Sequence, residues 1–208
     1  MNLHAKFKAT RPQRSAEPTR RRFTADELEA MERAGILDAE EKVELIDGEI
    51  ITMAAKTPRH EDMRTELATH FSERHAGTLK VAQEPAFYLS DHWEPEPDIL
   101  LFPRHLLVSE VRGDTALLVV EVAVSSLSTE LTVKANMYAA HGVREYWVVD
   151  AKRLVTHVHR GPGDNGYASV QEIPAGQRIE PLLLPALVLD LADLGLKPLT
   201  DDEATGHD

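Results

Sequence analysis

The stretch that decides the fold is LLVVEVAV, residues 117–124, in which aliphatic side chains are interrupted by a single acid, Glu121. A strand without polar alternation is typical of one buried on both faces, as a central strand covered by helices is. An ionised carboxylate in such a strand is costly unless it is paired or binds a metal. Glu121 is therefore either a site residue or an acid at the strand end that reaches solvent or an arginine.

A helix and a second strand are predicted directly after this central strand. Ser128 can cap a helix that runs to about His141 and ends at Gly142, and EYWVVD, residues 145–150, predicts the next strand. A strand, a helix of about 14 residues and a strand form a crossover that makes the two strands parallel. The sequence therefore predicts an α/β fold.

The remaining elements follow from capping and turn signals. Thr24 and Glu27 form a capping box for a first helix, and Asp47-Gly48 suits the tight turn of a β-hairpin. Further elements are predicted as strands at 42–46, 49–53, 82–89 and 97–102, a helix at about 58–76, a peripheral hairpin formed by 154–159 and 167–173, and an apolar segment at 182–191 that covers the fold.

Length and charge limit the functions that the chain can have. With 208 residues and no cysteine, we expect one domain at 23–195, without disulfides, thiolate metal sites or a cysteine nucleophile. No apolar run approaches the roughly 20 residues of a membrane span, so we expect no membrane partner and a cytoplasmic location. The net charge of −12 argues against a surface that binds nucleic acid by charge alone.

The charge is unevenly distributed along the chain. Residues 1–22 contain seven Lys or Arg and one acid, a net of +6, which leaves 16 basic and 34 acidic residues, a net of −18, in the rest. We expect this tail to be disordered, either as a solvated extension or as an arm that contacts phosphate. A polar C-terminal tail is expected at 196–208.

Three further residues are candidates for a site with Glu121. Asp98 follows Pro97 at the entry of a strand, and Lys134 falls at the edge of the buried stripe of the helix after the central strand. The Lys134 ammonium either lies in water, with its stem over the core, or reaches toward Glu121. Glu44, in the first hairpin, is either a solvent-facing strand residue or a further ligand or general base.

Two acids and a lysine at the end of a sheet suit the hydrolysis of a phosphodiester. Carboxylates such as Asp98 and Glu121 can hold Mg²⁺, with Mn²⁺ as the alternative, and the metal activates a water. Lys134 can position the nucleophile or stabilise the anionic transition state. For the histidines of the second helix we expect a surface role, with the alternative that His60, near the helix start, approaches the sheet end. His157 and His159 share a strand face but lack a third ligand.

Several segments, in this order and spacing, resemble the Uma2 family of "putative restriction endonucleases", also called DUF820, of the PD-(D/E)XK nuclease superfamily. They are residues 43–50, 96–99, 119–122, 134–138, 142–143 and 145–150, and the resemblance covers residues 23–194. It implies a restriction-endonuclease-like mixed sheet flanked by helices and a Mg²⁺-dependent endonuclease that acts on DNA. Asp98 would be the superfamily's Pro-Asp acid, Glu121 its second metal acid and Glu44 its acid in the region of the first helix.

The chain departs from the superfamily at Ala123, where the superfamily has a lysine two residues after the second acid. Proteins of the Uma2 family resemble this chain in that the next helix supplies the lysine, here Lys134, preceded by the acid Glu130. Two other functions stay open: an inactive nuclease fold used for nucleic-acid binding or assembly, and a hydrolase of a small phosphorylated metabolite. A homodimer is expected, because enzymes that cut both strands often act as two-fold dimers.

Overall fold

A six-stranded mixed sheet and a separate two-stranded hairpin form the fold. The structure, a computed structural model, describes residues 20–38, 40–75 and 77–200. The helices are α1 Ala25–Arg33, α2 Pro58–Arg74, α3 Leu127–Thr129 and α4 Ala135–Ala140, with a π turn Glu130–Lys134 joining the last two and 3₁₀ turns at Val108–Glu110 and Leu191–Leu194. The strands are β1 Val43–Ile46, β2 Glu49–Thr52, β3 Leu79–Gln83, β4 Ile99–Pro103, β5 Leu118–Ala123, β6 Glu145–Asp150, β7 Val155–Gly163 and β8 Gly166–Pro174.

The predicted crossover at the centre of the sheet is confirmed. The strand order is β3-β4-β5-β6-β7-β8, in which β5 and β6 are parallel and the other neighbours are antiparallel. All six residues of β5 are buried, as the unbroken apolar run predicted. Helix α2 and the C-terminal segment pack on one face of the sheet, and the α3–α4 helix packs on the other.

The two local signals near the N-terminus are also confirmed. The Thr24 hydroxyl accepts from the Glu27 amide at 3.2 Å, and the Glu27 carboxylate accepts from the Thr24 amide at 3.1 Å. Asp47 and Gly48 have φ angles of 53° and 76°, the left-handed values that a two-residue hairpin turn requires. Strands β1 and β2 pair across this turn.

Two boundaries and the burial of one strand differ from the prediction. The strand expected at 82–89 is β3, which ends at Gln83, before Glu84 takes a positive φ of 48° and Pro85 follows. The α3–α4 helix begins after Ser126 and not after Ser128. The hairpin of β7 and β8 lies at the sheet edge, yet the first five residues of β7 are buried, since β7 pairs along the whole of β6.

Parts of the predicted tails have a described structure. Arg20, Arg21 and Arg22 form ion pairs with acids of the hairpin and of α1, and the Leu199 amide donates to the Lys152 carbonyl at 2.9 Å. Residues 1–19 and 201–208 lie outside the described residues. Within residues 20–38, 40–75 and 77–200, no helix has the length and apolar character needed to cross a membrane.

Candidate active site

A cleft of about 150 Å³ lies at the end of β5 where the chain leaves the sheet for α3. Its walls come from the segment before α2, from the entry to β4, and from the π turn. Asp98, Glu121 and Lys134 all line it, and Glu44 contacts Lys134 from behind. The four residues predicted as a site from the sequence are therefore brought together.

Lys134 points into the protein, and only 6% of its side chain is exposed. Its ammonium donates to Glu44 Oε1 at 2.9 Å and to Glu121 Oε1 at 3.0 Å, and it lies 3.8 Å from Glu130 Oε2. Of the two orientations open from the sequence, the structure has the one toward Glu121. One ammonium thus joins carboxylates from β1, β5 and the π turn.

Glu121 has a hydrogen-bond donor at each carboxylate oxygen. The Tyr138 hydroxyl donates to Oε1 at 3.0 Å, beside Lys134, and the Asp98 amide donates to Oε2 at 3.3 Å. Glu44 Oε1 accepts from the Glu96 amide at 2.9 Å in addition to Lys134. These bonds fix the acids through the backbone of the segment that carries Asp98, so that the floor of the cleft is one connected network.

Asp98 is held from both sides. Its Oδ2 accepts from the Val122 amide at 2.7 Å and lies 3.1 Å from His60 Nε2, while Lys56 Nζ lies 2.5 Å from Oδ1. The surface role expected for His60 is therefore wrong, because His60 is buried and approaches the sheet end through Asp98. Lys56 was not predicted as a site residue, because its only signal in the sequence is its position one residue before Thr57, which caps α2.

The electrostatic environment differs between the two acids. Burial raises the pKa of Asp98, but hydrogen bonds and charge from His60 and Lys56 outweigh it and hold the pKa well below its usual value. Burial raises the pKa of Glu121 well above its usual value, with Lys134 opposing this shift and neighbouring acids adding to it. Asp98 is therefore an anion at neutral pH, whereas the fold makes the charged form of Glu121 costly.

Lys134 remains an ammonium in this cluster. Burial lowers its pKa, but Glu121, Glu130 and Glu44 outweigh this effect and raise the pKa well above the usual value. Burial also raises the pKa of Glu130. Because three carboxylates surround one ammonium, the floor carries a surplus of negative charge that a bound proton or cation relieves.

Two carboxylates of the cleft are the candidates to hold a divalent metal. Among the described residues, no group of three or more His, Asp and Glu side chains is arranged to hold a metal ion. Mg²⁺ commonly takes only one or two protein carboxylates and keeps several waters. Asp98 Oδ1 already binds a cationic lysine nitrogen and is thus placed for positive charge, and Glu121 Oε2, whose donor is the neutral Asp98 amide, leaves the Lys134 contact at Oε1 in place. Asp98 and Glu121 would hold such an ion, and waters would complete its shell.

Comparisons with known proteins bear on the family and the fold. The model of the Uma2 family, described as "Putative restriction endonuclease", matches residues 25–192. A solved structure, described as a putative nuclease belonging to DUF820 from Anabaena variabilis ATCC 29413, is similar with a TM-score of 0.66 and 18% identity. The match covers 83% of this chain and 97% of that one, which supports the same fold. No curated protein matches the chain.

Proposed function

Because the chain belongs to the Uma2 family, whose description is "Putative restriction endonuclease", we propose that it is a metal-dependent endonuclease that hydrolyses phosphodiester bonds of DNA. The observation that carries the proposal is the Lys134 ammonium, which bridges Glu44 and Glu121 at 2.9 and 3.0 Å in the floor of the cleft that also holds Asp98. An acid pair beside a fixed cation suits the anionic transition state of phosphoryl transfer.

Each residue has a defined part in this proposal. Asp98 and Glu121 would hold Mg²⁺ or Mn²⁺, and such an ion would supply a water of lowered pKa as the nucleophile and positive charge for the phosphate. Lys134 acts as a fixed positive charge near the scissile phosphate and not as a base, since its pKa is raised well above the usual value. Glu44 positions Lys134 through their contact.

Cleavage of a plasmid in Mg²⁺ or Mn²⁺ tests the proposal. We expect Asp98→Asn and Glu121→Gln to lower the cleavage rate by at least about 10²-fold, the usual loss when a group that stabilises the transition state is removed. Glu145→Gln is the matched control, because Glu145 is a fully buried acid of the same sheet that lies outside the cleft. Nicking at equal rates by wild type and Asp98→Asn, or no cleavage by wild type, contradicts the proposal.

The choice of DNA over a small phosphorylated metabolite rests on the basic residues before α1. Residues 1–22 have a net charge of +6, while the rest of the chain has −18. Deletion of residues 1–19 should weaken DNA cleavage and make it less sensitive to salt, because fewer counterions are then released on binding. If deletion of residues 1–19 leaves the salt dependence of DNA cleavage unchanged, the small phosphorylated metabolite is favoured as the substrate.

A further inference from the structure

Lys56 lies between two clefts. The segment 53–56 lines both the candidate active-site cleft and a second cleft of about 560 Å³. The Lys56 ammonium is 2.5 Å from Asp98 Oδ1 in the first cleft and 2.5 Å from Glu84 Oε1, which lines the second. One flexible side chain thus has a carboxylate partner in each direction.

The two lysines of the site are held differently. Lys134 is enclosed by three acids of the cleft floor, with 6% of its side chain exposed, whereas the Lys56 side chain is 19% exposed. Lys134 lies on the π turn and Lys56 on the irregular segment before α2. Of the two, Lys56 is therefore the one whose ammonium can move without breaking the floor of the site.

A metal that binds Asp98 must compete for an oxygen that is already bonded. Oδ2 is held by the Val122 amide of β5 and by His60 of α2, both on regular elements. Oδ1 is held by Lys56, whose ammonium ends a flexible four-carbon stem. An ion at Oδ1 and the Lys56 ammonium would repel each other strongly at contact distance from one carboxylate oxygen, so such an ion would displace Lys56 toward Glu84 or toward the open cleft.

We propose that Lys56 is a second phosphate-binding lysine, which Asp98 holds until a divalent cation displaces it, and which then contacts a phosphate of the bound DNA. This inference rests on the proposed function and extends it. A lysine is a compact point charge well suited to phosphate oxygens. Its release by the metal couples DNA binding to metal binding. The same ammonium contacts Asp98 when the metal is absent and the phosphate when the metal is bound.

The metal half of the proposal is tested by calorimetric titration of the full chain with Mn²⁺. We expect Lys56→Met to bind Mn²⁺ about fivefold more tightly than wild type, a change that corresponds to about 1 kcal/mol. Glu84→Gln should bind Mn²⁺ more weakly, since Lys56 then has no second carboxylate to move toward. Glu41→Gln is the matched control, because it removes the same charge from the second cleft without a bond to Lys56.

The DNA half is tested by the salt dependence of binding to a 20-base-pair duplex, in Ca²⁺ to slow cleavage and separately in EDTA. In Ca²⁺, Lys56→Met should lower the slope of log K against log salt by about 0.9, the value for one lost phosphate contact, and Lys56→Arg should restore it. In EDTA, wild type and Lys56→Met should have equal slopes, because Asp98 then holds the ammonium.

The two proposals fail in different ways. If wild type cuts DNA but Lys56→Met changes neither Mn²⁺ affinity nor the Ca²⁺ slope, the role of Lys56 is refuted and the nuclease proposal stands. A weaker affinity of Lys56→Met for Mn²⁺ also refutes it, since this is the result for a lysine that only stabilises the segment. If wild type does not cut DNA but Lys56→Met shows the tighter Mn²⁺ binding and the lower slope, the role of Lys56 is supported and the nuclease proposal is refuted. Circular dichroism and Lys56→Arg control for loss of folding.

Discussion

Replacement of Lys134 by methionine should destabilise the protein strongly and in a pH-dependent way. Lys134 contacts Glu44 and Glu121 at 2.9 and 3.0 Å, and all three side chains are buried. At about 3 Å and an effective dielectric constant of about 20, each attraction is about 5 kcal/mol before the cost of desolvation is subtracted. Methionine fills most of the volume but leaves the carboxylates without their ammonium.

The expected net loss in the free energy of unfolding is about 3–5 kcal/mol, the typical cost of removing one partner from a buried ion pair. For a chain of this length, about 2–4 °C of melting temperature is lost per kcal/mol, which predicts a decrease of about 6–20 °C at pH 7.5. Thermal unfolding followed by circular dichroism measures this decrease. Lys134→Met combined with Glu121→Gln should recover part of it, because the amide needs no counter-charge.

The loss should become smaller as the pH falls. Burial already raises the pKa of Glu121, and without Lys134 the pKa rises further. A carboxyl whose pKa is higher in the folded than in the unfolded protein contributes stability below its unfolded pKa of about 4.3, and this contribution is lost as the pH rises through the folded pKa. The difference in melting temperature between variant and wild type should therefore be smaller at pH 5 than at pH 8. A variant as stable as wild type at pH 7.5, or a difference independent of pH, refutes the argument.

Three further changes test other parts of the fold. Gly113→Ala should cost about 3 kcal/mol of unfolding free energy by urea denaturation, because its Cβ would lie 1.9 Å from the His141 carbonyl oxygen. Glu145→Ala should cost about 3–5 kcal/mol by the same measurement, since it leaves the partly buried Arg160 guanidinium without its carboxylate, yet Mn²⁺ affinity should not change. Burial lowers the pKa of His159 below its unfolded value of about 6.5. The stability that the neutral ring contributes above this unfolded pKa is therefore lost as the pH falls. His159→Phe should reduce the loss of stability between pH 7 and pH 5.

The sequence predicted the centre of the fold because local patterns and tertiary environment agree there. The apolar run of β5 is buried on both faces, and the parallel partner β6 follows after one helix. The segment 84–89 was wrongly predicted as strand because two of its apolar residues, Phe87 and Leu89, are buried without a ladder. The amides of Phe87 and Leu89 donate instead to the Pro95 and Trp93 carbonyls of a neighbouring loop.

The acids of the candidate site were predicted from the sequence, whereas Lys56, one of its two lysines, was not. Asp98 and Glu121 are acids next to apolar runs, a pattern that is visible locally because an isolated buried charge is costly. The contact between Lys56 and Asp98 joins residues 42 positions apart and depends on how α2 packs on the sheet. Nothing near Lys56 in the sequence marks it as a partner of Asp98, so that only the assembled structure connects it to the site.

The π turn Glu130–Lys134 explains how a helix can place an ammonium on the carboxylate of the preceding strand. The Ala135 amide donates to the Glu130 carbonyl five residues back, one residue more than in an α-helix. The wider turn directs both Glu130 and Lys134 toward the sheet and leaves Leu131, which a regular helix would bury, only partly covered. Ala123 faces the same side of β5 as Glu121, where a strand lysine would stand. Since Lys134 reaches Glu121 from the opposing helix, Glu121 has an ammonium partner although position 123 is an alanine.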